Sequence, residues 1–152
     1  MNRTGRKNFI GSWQLNSWII SYPASERLTH PFGSSPTGLI VYSETGWMSA
    51  AICRSDRALF NPSQNLRSMP ATVLAQAYKS YFHYAGPYRV EDGQLIHSVR
   101  MSLNPDFVGT EQVRDFTFDG DLLILRGTER FDDSPDTELR THRLQWQRIK
   151  AA

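Results

Sequence analysis

Short polar turns that contain glycine divide this sequence into runs of strand-forming residues. Three of these turns are Glu44-Thr45-Gly46, Glu91-Asp92-Gly93 and Asp119-Gly120-Asp121. An Asp-Gly step between two β-rich runs is one of the strongest local signals for a hairpin, because tight hairpin turns need residues that tolerate a positive φ. A fourth break, at residues 132–136, predicts a longer polar loop. The turns therefore predict a chain built from successive antiparallel hairpins.

The runs between the turns predict eight strands. They are rich in β-branched and aromatic residues and cover residues 14–22, 38–43, 47–53, 87–90, 94–103, 112–118, 122–128 and 139–149. Strands joined in order by tight turns form an antiparallel meander, and closing the meander into a barrel removes its unpaired edges. We therefore expect an all-β fold, an up-and-down antiparallel β-barrel of eight to ten strands.

One segment departs from the strand pattern. Pro70 suits the first turn of a helix, Gly86 suits its end, and the residues between them favour helix. Four apolar side chains fall at helical spacing and form one face: Leu74, Tyr78, Tyr81 and Ala85. The sequence thus predicts one short helix around residues 71–85. Residues 54–69 predict a long loop, of a kind that often covers or lines a binding site.

Length and composition limit the number of domains, the metal or cofactor sites and the partners expected for this chain. The chain has 152 residues, which suits one domain over residues 1–152. Cys53 is the sole cysteine and the four His residues show no ligand spacing, so we expect neither a disulfide, nor a metal site, nor a cofactor. The net charge of +2 comes without a basic stripe, which argues against a nucleic-acid partner.

The sequence shows no segment for a membrane or for export. Its apolar runs are far shorter than the ~20 residues that a membrane-spanning helix needs. The basic N-terminus is not followed by the uninterrupted apolar stretch of a signal peptide. We expect a cytoplasmic protein with no membrane partner. An oligomer is compatible with the sequence but is not indicated by it.

Alternation along three predicted strands places ionisable groups on the more apolar faces. These groups are His97 in strand 94–103, Arg114 in strand 112–118 and His142 in strand 139–149. The apolar faces are predicted to point into the barrel, which at this size is either filled by side chains or holds one small ligand. A polar group on such a face must be paired within the protein or serve a ligand.

His97 and Arg114 are the candidate catalytic residues. His97 is either a core histidine hydrogen-bonded to Arg114 or to a tyrosine, or a group that contacts a ligand and moves a proton near neutral pH. Arg114 is either the partner of Glu111 in an internal ion pair or an anchor for an anionic or enol oxygen, for which a planar guanidinium is well suited. The sequence leaves both pairs of alternatives open.

Eight residues are candidates for lining a ligand pocket in the lumen. They are Met48, Tyr81, Tyr88, Val99, Met101, Phe116, His142 and Trp146. Most are apolar or aromatic side chains on the predicted inward faces, and the tyrosine hydroxyls could line the mouth of a pocket. For His142, an exposed position in a cross-strand polar pair is the alternative.

Trp13 and Arg148 lie near opposite ends of the chain, where an up-and-down barrel brings its first and last strands together. An Arg stacked on the face of a Trp contributes about 0.5–2 kcal/mol. We expect this pair to close the barrel.

These residues also carry a family resemblance. Gly11-Ser12-Trp13 is similar to the Gly-x-Trp that opens the first lipocalin strand, and Arg148 matches the late Arg that lipocalins pack on this Trp. Over nearly its whole length the chain resembles the bacterial and fungal lipocalin-like domain family. The matching blocks are Ile10-Gly11-Ser12-Trp13, His30-Pro31-Phe32-Gly33, Gly38-Leu39-Ile40-Val41-Tyr42, Gly46-Trp47-Met48-Ser49-Ala50, Tyr81-Phe82-His83-Tyr84-Ala85-Gly86, His97-Ser98-Val99, Ser102-Leu103-Asn104-Pro105, Val108-Gly109-Thr110-Glu111-Gln112-Val113-Arg114 and Trp146-Gln147-Arg148. The resemblance implies a calycin-type barrel, but it supplies no agreed catalytic set.

Two function classes follow from these observations. The first is a non-catalytic binder of a small hydrophobic or aromatic molecule, for example in secondary metabolism. The second is a cofactor-free cyclase, isomerase or dehydratase acting on a biosynthetic intermediate, in which His97 moves a proton and Arg114 stabilises an enolate-like oxygen. A barrel filled by its own side chains, with a purely structural role, is the third alternative.

Overall fold

The computed structural model describes residues 5–61, 65–130 and 139–151. Ten strands and one α-helix occur in these ranges: β1 Gly11–Tyr22, β2 Arg27–Thr29, β3 Thr37–Tyr42, β4 Trp47–Cys53, α1 Ala71–Lys79, β5 Tyr81–Glu91, β6 Gln94–Ser98, β7 Met101–Ser102, β8 Glu111–Asp119, β9 Leu122–Arg130 and β10 Leu139–Arg148. The polar loop predicted at residues 132–136 lies outside the described residues.

Eight of the strands form a closed antiparallel barrel. Going around it, the order is β1, β3, β4, β5, β6, β8, β9 and β10, and β10 pairs back onto β1. The two short strands stand outside this ring, since β2 pairs with β1 and β7 with β5. The predicted up-and-down all-β barrel is confirmed.

The predicted turns connect neighbouring barrel strands, and their backbones have the predicted sign of φ. Gly46 adopts φ 87° between β3 and β4, and Gly120 adopts φ 58° between β8 and β9. Between β5 and β6, Asp92 and Gly93 both lie at positive φ, 51° and 78°. Two consecutive residues of this kind form the hairpin turn whose twist matches that of the flanking strands.

The predicted short helix is confirmed as α1, but its predicted end at residue 85 is wrong, because α1 ends at Lys79 and β5 begins at Tyr81. Residues 81–87 pair with β4 along its whole length. Gly86 does not end a helix but lets another strand approach, since a Cβ there would lie 1.9 Å from the carbonyl oxygen of Ser98. Sheet pairing therefore outweighs the helical spacing of the apolar residues. No helix among the described residues is long and apolar enough to cross a membrane.

The predicted strand 94–103 is interrupted by a bend. The amide of Val99 donates to the carbonyl of Thr110, and the amide of Arg100 donates to the carbonyl of Ala85. After the bend the chain no longer pairs with β8 and continues along β5 as β7, which breaks the alternation of faces. Met101 is 56% exposed, so the prediction that it faces the lumen is wrong.

Trp13 and Arg148 close one end of the barrel, as predicted. They are register partners in β1 and β10, and the guanidinium carbon lies 4.1 Å from the centre of the indole ring. The indole Nε1 donates to the carbonyl of Phe9 over 2.8 Å. Phe9 is wholly buried and meets the rings of Tyr42 and Phe116 edge-on. This aromatic cluster closes the barrel at the end where β1 begins.

Candidate functional site

The inward faces of β8, β9 and β10 divide the lumen into an apolar half and a polar half. Near the closed end, cross-strand register gives two apolar rows, Phe118–Leu123–Trp146 and Phe116–Leu125–Leu144. Further along the strands, the register pairs are Gly127 with His142 and Glu129 with Arg140, and the Arg114 side chain lies over Gly127. A molecule in the lumen would therefore meet an apolar floor and a polar wall.

A cavity of about 590 Å³ occupies this lumen. Its apolar lining includes four aromatic side chains: Trp18, Phe82, Phe107 and Trp146. Its polar lining includes His97, Gln112, Arg114, Glu129, Arg140 and His142. The volume lies within the range of about 300–1,000 Å³ found for small-molecule sites. A lumen of this volume does not fit the filled-barrel alternative.

His97 is held between two tyrosines. Its Nε2 lies 2.9 Å from the hydroxyl of Tyr42, and its Nδ1 lies 2.7 Å from the hydroxyl of Tyr84. The side chain is 1% exposed. Burial, and secondarily the charge of Arg114, lower the pKa of His97 to about 3, so the imidazole is neutral. Of the two alternatives for a core histidine, the structure shows bonds to tyrosine and none to Arg114.

The number of N–H and O–H groups in the trio of His97, Tyr42 and Tyr84 determines which of them can donate to a ligand. The neutral imidazole has one N–H and each tyrosine has one O–H, but the trio contains only two internal hydrogen bonds. The tyrosine that accepts from His97 therefore keeps its own O–H free. Tyr84 lines the cavity, so when His97 carries its proton on Nδ1, the Tyr84 hydroxyl can donate to a molecule in the lumen. Both imidazole nitrogens are occupied, which leaves His97 no free lone pair for a substrate.

The buried neutral imidazole makes stability depend on pH. The folded pKa of His97, about 3, lies below the ordinary value of 6.5, so the unfolded chain binds a proton that the folded chain excludes. This contribution is lost as the pH falls below 6.5. From pH 6.5 to about pH 5, we expect His97 to lower the free energy of unfolding by about 1.5 kcal/mol. Urea titrations at several pH values measure it. A triple variant, Tyr42→Phe, Tyr84→Phe and His97→Phe, should show a flatter profile, and an identical profile would contradict the assignment.

The partners of Arg114 among the described residues are all neutral. Its Nη1 donates to the carbonyl of Val113 over 2.9 Å, and its Nη2 donates to Oε1 of Gln112 over 3.3 Å. The proposed ion pair with Glu111 is wrong, because Glu111 points to the outer face of β8 and pairs with Arg89 at 2.8 Å. No carboxylate of the described residues forms an ion pair with Arg114. A Cβ on Gly127 would lie 2.8 Å from Nη1, so only glycine leaves room for this placement.

Glu129, Arg140 and His142 form a matched cluster beside Arg114. The Glu129 carboxylate accepts from Nε of Arg140 at 2.5 Å and from Nε2 of His142 at 2.6 Å. These bonds, with that from His142 first, lower the pKa of Glu129 to about 2. The indole of Trp18 donates to Nδ1 of His142 over 3.0 Å, which places the histidine proton on Nε2. The cross-strand polar pair considered for His142 is thus present, and the residue also lines the cavity.

The indole N–H of Trp146 is a hydrogen-bond donor without an acceptor among the described residues. Its side chain is 1% exposed and lines the cavity. Among the described residues its Nε1 is the one buried side-chain nitrogen or oxygen without a hydrogen-bond partner. Buried donors are nearly always bonded, so this exception needs an explanation.

Six of the eight residues predicted to line a pocket lie elsewhere. Met48, Tyr88 and Val99 are buried in the core, and Phe116 packs against Phe9. Phe9 and its neighbours fill the closed half of the barrel, which keeps these side chains away from the cavity. Tyr81 lies under the guanidinium of Arg57, 5.2 Å from it. With Met101 on the outside, the lining residues that the sequence identified are His97, Arg114, His142 and Trp146.

Sequence reasoning missed several lining residues. Alternation did not identify Trp18, because a bulge between Leu15 and Ser17 shifts the register of β1 and moves the following even positions inward. Glu129 lies one residue beyond the predicted end of its strand. Gln112 and Arg140 lie on inward faces that the alternation does identify, so the signal for these two residues was present.

Comparison with known protein families identifies the family of this barrel. The sequence model of the lipocalin-like domain matches residues 10–149. The chain belongs to the lipocalin-like domain family. The resemblance seen in the sequence is confirmed, and in this lipocalin-like barrel the Gly-x-Trp motif and Arg148 meet at the closed end. No curated protein matches the sequence significantly. Within the described ranges, no cluster of three or more His, Cys, Asp or Glu side chains could hold a metal ion.

Proposed function

We propose that this lipocalin-like barrel binds a small aromatic molecule in its lumen without transforming it. The observation that carries the proposal is the cavity of about 590 Å³, lined by four Trp and Phe side chains together with aliphatic residues. Aromatic rings bury a large apolar area and prefer the edge-on contacts that such a lining offers. A role in secondary metabolism and a cytoplasmic location belong to this proposal.

A neutral fluorescent probe tests the proposal. N-phenylnaphthylamine should bind at one saturable site, and Leu144→Trp should abolish the binding because Leu144 lines the cavity. Met101→Trp is the matched control, since the same bulk then lies on the outer surface and should leave the affinity unchanged. A fluorescence titration of the three proteins measures this. Equal binding by wild type and Leu144→Trp would place the site outside the lumen.

A cofactor-free cyclase or isomerase is the second candidate function. It is favoured by the Tyr84 hydroxyl, which can donate a hydrogen bond to a substrate oxygen, and by Arg114, whose charge would stabilise that oxygen. The two tyrosine bonds on His97 argue against the general base that the sequence suggested. Mass spectrometry of a bound molecule before and after incubation separates the two functions, because a binder returns it unchanged.

A further inference from the structure

Two side chains that line the lumen carry donor groups without a matching partner among the described residues. Trp146 presents a buried N–H without an acceptor, and Arg114 presents a guanidinium without a carboxylate among the described residues. A buried donor normally finds a partner, because leaving it unpaired costs free energy, and the charge of the partly exposed Arg114 favours an anion beside it. Both side chains line the same cavity. Their missing partners therefore point to the chemistry of a ligand.

We propose that the lumen selects a planar aromatic anion whose charged group binds Arg114 and whose second polar group accepts a hydrogen bond from Nε1 of Trp146. This inference rests on the proposed function and names the class of ligand. A carboxylate or an enolate-type oxygen suits Arg114, since the guanidinium fork can bind either through parallel N–H groups.

The balance of charges along the polar wall favours an anionic ligand. The carboxylate of Glu129 is bonded by Arg140 and His142, and that of Glu111 is bonded by Arg89. Arg114 is left with neutral amide and carbonyl oxygens as partners. Its charge acts within the lumen, because it contributes to the lowered pKa of His97. An anion bound in the lumen would match this charge.

Arg114 and Trp146 enter the cavity at different levels along the strands. Arg114 lies over Gly127, which is the register partner of His142, and His142 lies four residues from Trp146 along β10. Four residues of extended strand span roughly 13 Å. A ligand that uses both groups therefore carries its polar groups at opposite ends of a rigid apolar body. A fused aromatic bicycle with one substituent at each end has this form.

Three probes that share one bicycle separate the contacts. Hydroxynaphthoate, with its hydroxyl and carboxylate at opposite ends, has both groups, while naphthoate lacks the hydroxyl and naphthol lacks the carboxylate. Calorimetric titration should rank them hydroxynaphthoate, naphthoate, naphthol. Arg114→Gln should weaken both carboxylates about tenfold to hundredfold and leave naphthol unchanged. Trp146→Phe should weaken the two hydroxyl-bearing probes about threefold to tenfold and spare naphthoate.

Arg126→Gln is the matched control. Arg126 directly precedes Gly127 in β9, lies on the outer face and donates to Thr117. Its replacement therefore removes the same charge without touching the lumen. Affinity for naphthoate should be unchanged in this variant. Unchanged naphthol binding reports that the two arginine variants are folded, and unchanged naphthoate binding reports the same for Trp146→Phe. Equal affinity of the wild type for naphthoate and naphthol, or equal losses in Arg114→Gln and Arg126→Gln, would overturn the inference. If none of the three probes binds the wild type, the proposed function itself fails.

Discussion

Trp13→Ala should lower the free energy of unfolding by about 3–5 kcal/mol, the usual cost of truncating a large buried aromatic side chain. Trp13 has no exposed surface and joins the two strands that close the barrel. The truncation removes the stack with Arg148, the hydrogen bond to the carbonyl of Phe9 and the ring contact with Phe118. Urea unfolding followed by circular dichroism measures the change.

Trp47→Ala is the control for this experiment. Trp47 is 49% exposed and lies at the start of β4, outside the closing cluster. Its truncation should cost less than about 1 kcal/mol, as surface substitutions usually do. Similar losses from the two substitutions would contradict the closing role of Trp13.

His97→Phe should lower the free energy of unfolding by about 2–6 kcal/mol, because it leaves two buried tyrosine hydroxyls without a partner at about 1–3 kcal/mol each. Strand alternation alone predicts the opposite, since a Phe would then fill an apolar wall. The bonds from His97 to Tyr42 and Tyr84 reverse that expectation. The same urea unfolding experiment measures the loss.

Removing all three polar groups should recover much of the lost stability. In the triple variant with Phe at positions 42, 84 and 97, no hydroxyl remains to be satisfied, and replacing every partner by apolar groups of similar shape is nearly neutral. A His97→Phe protein as stable as the wild type would show that the tyrosine bonds contribute little. A triple variant less stable than His97→Phe would show that packing, rather than unpaired hydroxyls, causes the loss.

The barrel could be predicted from the sequence because its signals are local. Each Asp-Gly or Gly turn sets the direction of the next strand, and alternation then sets its faces. The end of α1 could not be predicted, since the aromatic residues after Lys79 suit a helix face and a paired strand equally well. The pairing of β5 with β4, a tertiary interaction, decides between them.

The candidate site was harder to predict because it depends on local breaks in alternation. The bend after Ser98 moves Met101 to the surface, and the bulge in β1 brings Trp18 into the lumen. Neither break has a clear mark in the sequence. On β8 and β10 the alternation is regular, and there Arg114, His142 and Trp146 were placed correctly on the inward face.

A crystal structure of the protein with hydroxynaphthoate tests the central claim most directly. We expect the bicycle in the lumen, with its carboxylate on the guanidinium of Arg114 and its hydroxyl oxygen within hydrogen-bond distance of Nε1 of Trp146. A lumen closed by its own side chains would contradict this account. So would a probe bound only in the groove that α1 forms with residues 54–60.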